Sequence, residues 1–223
     1  MSETKIQFSD AELSLMCNAE LILTKNKIIE KVKALLEGLQ LQMMSFVYQK
    51  EELRFHPLFS IPPKISKGEN YGGLPYLILD YPRNFQQAHT FSVRTFFWWG
   101  RFFSSTLQFE GDQYVALREN VQKAFVPLQH QFYFINVNKD PWQHHFEEDN
   151  YKAINDLTEE EFSAIILGQP HIKIAAKWPL TEPHLAANDL FKSWQFFLQL
   201  SGLIRQDGEK DLLPGDPKAG FDL

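Results

Sequence analysis

The chain has 223 residues, 44% of them hydrophobic and 14% aromatic, and its 22 basic and 28 acidic side chains leave a net charge of -6. That apolar content suffices for one continuous core, and the acidic balance opposes non-specific attraction to phosphate backbones, which excludes nucleic acid as the expected partner. Cys17 is the single cysteine, so no internal disulfide forms, and no apolar stretch reaches the ~18 residues that cross a bilayer.

The N-terminus lacks the basic start and apolar run of a secretory signal, so the expected location is cytoplasmic. Ser9 followed three residues later by Glu12 is a capping box, opening a helix that carries Leu13, Leu15, Met16, Ala19 and Ile22. Cys17, within this pattern, reads as a buried, inert thiol with no base beside it. A second helical stripe runs through Ile28, Val32, Leu35, Leu39, Met43 and Phe46, with Lys27, Lys31 and Lys33 mostly off that line. Thr24 to Asn26 is either a break between two helices or a polar turn within one.

Beyond His56 and Pro57, the pair Pro62 and Pro63 and the pair Gly72 and Gly73 forbid regular helix, and Leu74 to Tyr81 reads as a buried strand. Phe91 to Trp99 and Arg101 to Glu110 follow as two strands, or as one long bent strand, with Gly100 suited to the first central position of a type II′ hairpin turn. Asp112 is placed to cap a short helix bearing Tyr114, Leu117, Val121 and Phe125 that Pro127 closes, and Gln131 to Val137 returns to strand. Thr158 with Glu161 repeats the capping box before a helix through Phe162, Ile165 and Ile166 that Gly168 terminates. His171 to Trp178 is a further strand, and Glu182 to Leu203 forms an apolar-faced helix through Ala187, Leu190, Trp194, Phe197 and Leu198.

The expected class is therefore α+β, an antiparallel sheet of about four to five strands covered by N-terminal helices and a C-terminal helix. Residues 1–204 read as a single domain, and 205–223, rich in Gly, Pro and Asp, as an extended or mobile tail.

Chemistry is sparse. The chain contains no GxGxxG, GxxxxGK[ST], HExxH or GxSxG pattern, so it names no cofactor; Gly72 and Gly73 precede a strand and suit a tight turn better than a phosphate cradle. From Asp140 to Asp149 imidazoles and carboxylates concentrate. On a helical turn His145 and Glu148, or His144 and Glu147, would share a face and suit zinc, iron or manganese; the plainer reading is a solvated acidic loop. A second set, Asp80, Arg83, Arg94 and Arg101, places charges inside apolar strands. A buried Arg94 must face a carboxylate, a bound anion or the wet side of its strand. His56, His89, His130, His171 and His184 are dispersed and read as surface or capping residues.

The run from Phe91 to Phe109 is the densest in rings, and alternation sends Trp98 and Trp99 to opposite faces. The functional expectation is a non-catalytic binding domain using this aromatic sheet for homodimerisation, or for a partner or a small apolar or anionic ligand, with Arg94, Asp80, Trp98 and Arg101 as the candidate ligand contacts. The competing expectation is a small metal-assisted hydrolase built on His144, His145, Glu147 and Glu148.

Overall fold

The computed structural model describes residues 6–86 and 89–205. Local signals at the N-terminus act as expected: Ser9 Oγ accepts from the Glu12 N–H at 3.3 Å, Glu12 Oε2 accepts from the Ser9 N–H at 2.7 Å, and α1 spans Asp10–Met16. The break comes earlier than Thr24, and Cys17, which caps α1 there, is exposed rather than buried. Asn18 caps a new helix by accepting from the Leu21 N–H at 3.3 Å, and α2 then runs unbroken over Ala19–Gln49, about 46 Å at 1.5 Å per residue. A single turn, α3 (Glu51–Arg54), ends the helical region.

Seven strands follow: β1 (Lys64–Tyr71), β2 (Leu74–Asn84), β3 (Phe91–Trp98), β4 (Phe102–Glu110), β5 (Phe134–Asn136), β6 (Tyr151–Ala153) and β7 (His171–Trp178). Between β4 and β5 lie α4 (Asp112–Lys123) and α5 (Phe125–His130); α6 (Glu159–Gly168) precedes β7 and α7 (Pro183–Leu200) follows it. The strands form one sheet in the order β1-β2-β3-β4-β7-β5-β6, every neighbouring pair antiparallel.

The α+β class stands, with more strands than the four to five expected. β1 and β6 escape a pattern search because both are edges: β1 is lysine-bearing and mostly wet, and β6 has three residues. Three punctuation readings are corrected. Gly100, at φ 66°, is the second central residue of the β3–β4 turn, where the Arg101 N–H reaches the Trp98 carbonyl at 3.0 Å, because Trp99 takes the first. Gly111, not Asp112, holds the N-cap position of α4. Pro127 does not close a helix but sits in the first turn of α5, where its missing N–H has no intrahelical partner to lose. Of the tail, residues 206–223 lie outside the described residues.

Period-two alternation sorts the sheet. Leu77, Leu79, Tyr81, Phe91, Val93, Phe97, Phe103, Leu107, Phe109, Ile172 and Ile174 point to a front face covered by α2, α7 and α4, through Leu36, Leu39, Met43, Leu190, Trp194, Phe197 and Val121. Ile78, Phe96 and Trp98 point the other way, packing with Tyr71, Leu74, Tyr76 and Phe102. Gly68 pairs with Tyr76 across the β1–β2 ladder, and a Cβ there would stand 2.2 Å from Tyr76 Cζ. Replacing Gly68 by Ala is thus expected to displace that ring and destabilise by about 1–2 kcal/mol in urea unfolding.

Candidate functional site

On the front face, α2 and α7 do not close over the end of the sheet nearest the β3–β4 turn. The result is an apolar groove of about 580 Å³. Phe97 and Phe103 come from the sheet, Trp99 and Gly100 from the turn, Ile28, Val32 and Leu35 from α2, and Leu180 and Pro183 from the chain entering α7. Its two titratable neighbours are Lys31 and His184, both exposed. The volume lies within the range of small-molecule sites, and the lining has their usual composition of aliphatic and aromatic walls with few polar groups.

The back face has a different chemistry. Asp80 and Arg94 are cross-strand neighbours on β2 and β3, and the guanidinium donates from Nε to Asp80 Oδ1 at 2.7 Å and from Nη2 to Oδ2 at 2.9 Å. Of the environments open to Arg94, the structure has the carboxylate. The third arm, Nη1, lies 3.0 Å from His144 Nε2; guanidinium only donates, so Nε2 accepts and the ring proton resides on Nδ1. Burial, reinforced by the charges of Lys173 and Arg94, holds His144 well below the usual imidazole range, so this ring stays neutral.

Lys173 reaches the same face from β7. Its side chain is buried, and Nζ donates to the Pro141 carbonyl at 2.8 Å and to the Gln143 carbonyl, above the ring of Tyr151 at 5.4 Å. Desolvation first, and repulsion from Arg94 second, lower its pKa to about 7. A neutral amine carries two N–H bonds, matching the two carbonyls it meets. Sequence reading passed over Lys173, although the alternation of His171, Lys173, Ala175 and Lys177 along β7 signals a shared face.

These groups hold the 137–150 segment against the back of the sheet. Tyr71 Oη accepts from the backbone N–H groups of His144 at 2.6 Å and His145 at 3.1 Å. Asn136 Nδ2 donates to the carbonyl and Oδ1 of Asn150 at 2.9 and 2.7 Å, and His171 Nε2 sits 2.9 Å from Asn136 Oδ1. His171 is therefore a buried network member rather than a surface residue. His56 does cap, its Nδ1 accepting from the Leu58 N–H at 3.2 Å.

The residues around His144 are not helical, so the three-residue spacing does not align His145 with Glu148 or His144 with Glu147. His144 turns to Arg94, His145 Nδ1 stands 3.8 Å from Asp149 Oδ1, and Glu147 and Glu148 are exposed. Among the described residues, no three His, Cys, Asp or Glu side chains are grouped to hold a metal ion. Trp98 is buried on the back face with Nε1 donating to the Tyr71 carbonyl at 2.9 Å, and the exposed Arg101 lies over its ring at 5.3 Å. Asp80, Arg94 and Trp98 thus share one face, as alternation requires, with Arg101 beside Trp98, while Trp99 lines the groove on the other. Among the described residues, no helix is long and apolar enough to cross a membrane. Comparison with protein-family models, curated proteins and solved structures gave no match to this chain.

Proposed function

We propose that this protein is a non-catalytic binding domain whose front groove holds an apolar chain ending in an anionic group. The observation that carries this reading is the groove itself: a cavity of about 580 Å³ floored by the buried rings of Phe97 and Phe103, beside which Leu35, Trp99 and Leu180 are only partly covered by the described chain. Water in such a cavity gains few hydrogen bonds, so an alkyl or aromatic ligand that displaces it is favoured by its buried area. Lys31 at the edge supplies the counter-charge for an anionic end. The back face, where Arg94 is engaged by Asp80 and His144, reads as the scaffold that keeps the sheet and the 137–150 segment in place.

Dodecanoate is a suitable probe, followed by isothermal titration calorimetry and by tryptophan emission. One molecule per chain is expected to bind, with a blue shift that Trp99→Phe removes. Leu35→Glu sets a carboxylate among the apolar walls and is expected to weaken binding at least tenfold, whereas Lys31→Glu should weaken dodecanoate several-fold and leave dodecanol unaffected. Equal affinity of Leu35→Glu and the wild type for dodecanoate would refute the reading.

A further inference from the structure

We propose that the polar cleft at the end of the α2–α7 pair opposite the groove is a second binding site, one that takes a small, soluble organic phosphate. This goes beyond the groove reading and rests on a different cavity. The cleft has a volume of about 330 Å³, near the lower end of small-molecule sites. It lies where the last turn of α2, the second half of α7 and the end of α5 meet.

Helical period builds its walls. Lys192, Gln195, Phe196 and Gln199 stand at i, i+3, i+4 and i+7 and so share one face of α7, distinct from the face that Leu190, Trp194 and Phe197 press onto the sheet. From α2 come Phe46 and, at its C-cap, Lys50, whose Nζ lies 5.2 Å from the centre of the Phe46 ring. Gln131, at the C-cap of α5, and Arg205 complete the rim.

Charge says what the ligand is. Among the described residues no carboxylate lines the cleft, although acids outnumber bases in the chain. Lys50 rests on a ring, and among the described residues neither it nor Lys192 is in a salt bridge. Asp189, three residues before Lys192, borders the neighbouring cleft instead, and Glu51 and Glu52, next in sequence to Lys50, are exposed outside this one. A helix C-terminus attracts cations and accounts for Lys50, but Lys192 is near the middle of α7. Like charges gathered in a recess focus a positive potential there. With Arg205 they are three, more than a lone carboxylate requires and suited to a phosphate monoester, which is close to dianionic at neutral pH. The amides of Gln131, Gln195 and Gln199 add neutral N–H donors, and the rings of Phe46 and Phe196 offer a surface to a flat apolar body.

Calorimetric titration of the full chain with 1-naphthyl phosphate, in the presence of saturating dodecanoate to occupy the groove, tests this. One molecule per chain is expected to bind, about tenfold tighter than inorganic phosphate because the ring adds buried area. Lys192→Glu and Lys50→Glu should each weaken it at least tenfold, Lys192→Arg should not, and the exposed Lys192 should leave the urea midpoint and dodecanoate affinity unchanged when reversed. Replacing the acids that follow Arg205 in sequence, as Asp207→Asn with Glu209→Gln and Asp211→Asn, should alter the affinity by less than about twofold. Phosphatidate vesicles, which carry the same phosphate on a lipid, should not retain the chain, because its net charge of -6 opposes an anionic surface. Absence of 1-naphthyl phosphate binding, or a Lys192→Glu variant of unaltered affinity, would overturn the proposal. So would a tenfold gain in the triple variant, which would assign the cleft to the chain's own acidic sequence, or vesicle binding that Lys192→Glu abolishes, which would assign it to a membrane. A chain that binds 1-naphthyl phosphate and ignores dodecanoate would sink the groove reading and spare this one; the converse would do the reverse.

Discussion

Arg94→Met is expected to lower folding stability by about 3–5 kcal/mol, measured as the free energy of urea unfolding, because it leaves the Asp80 carboxylate without its counter-charge beneath the 137–150 segment. Both partners are largely withdrawn from water, with side-chain exposures of 14% for Arg94 and 10% for Asp80, so solvent replaces little of what is lost. The same change removes the donor to His144 Nε2, which loosens that segment as well. A double replacement, Arg94→Met with Asp80→Leu, is expected to recover most of the loss, since two apolar side chains in cross-strand register leave no buried charge behind. If the single and double variants unfold at the same urea concentration, the pair is not the cause. Dodecanoate affinity should change little in either variant while the sheet remains folded, as the groove lies on the opposite face.

Lys173 makes the largest pH effect. Its folded pKa is lowered to about 7 from an ordinary 10.5, so over the interval between them the unfolded chain binds a proton that the folded chain does not. Stability therefore rises with pH across that window. From pH 7 to pH 9 this one group is expected to add about 2 kcal/mol to the unfolding free energy. Lys173→Met should abolish that rise while also leaving the Pro141 and Gln143 carbonyls without their donor, so the segment above should show faster amide exchange at every pH. A wild type whose urea midpoint is flat or falling from pH 7 to 9 would contradict this account. In acid the sign is set by His144: its folded pKa lies below the unfolded value, so protonation favours the unfolded chain and stability falls as pH drops below about 6.5.

The two faces of the sheet thus have separate physical tasks. The back carries, beside the cluster of Ile78, Phe96 and Trp98, a polar network in which Arg94, Lys173, Asn136 and Tyr71 hold a long irregular segment. The front is apolar but for the buried hydroxyls of Thr95 and Ser105, cross-strand neighbours with no hydrogen-bond partner, and where α2 and α7 diverge it leaves a groove. The strands β3 and β4 carry residues of both faces: Phe96 and Trp98 alternate with Phe97, and Phe102 with Phe103.

What the amino-acid sequence by itself determined here is local. The capping boxes at Ser9 and Thr158, the helical period of α2 and the alternation in β2, β3, β4 and β7 each act over a few residues, where hydrogen-bond reach and side-chain period dictate the outcome, although the buried line of α2 runs through Ile29, Leu36 and Val47 rather than Ile28, Leu35 and Phe46. Opposite faces for Trp98 and Trp99 follow from the same rule. Tertiary structure alone decided what depends on distant partners. That Arg94 meets Asp80 and His144, 14 and 50 residues away, is a matter of strand register and of one loop's path. Lys173 is solvated or buried according to whether residues 137–150 settle over it, and the strand identity of β1 and β6 comes from the neighbours they pair with. The groove, too, is a gap between α2 and α7, and no single segment encodes a gap: it is set by where two helices, more than 150 residues apart at their starts, come to rest on one sheet.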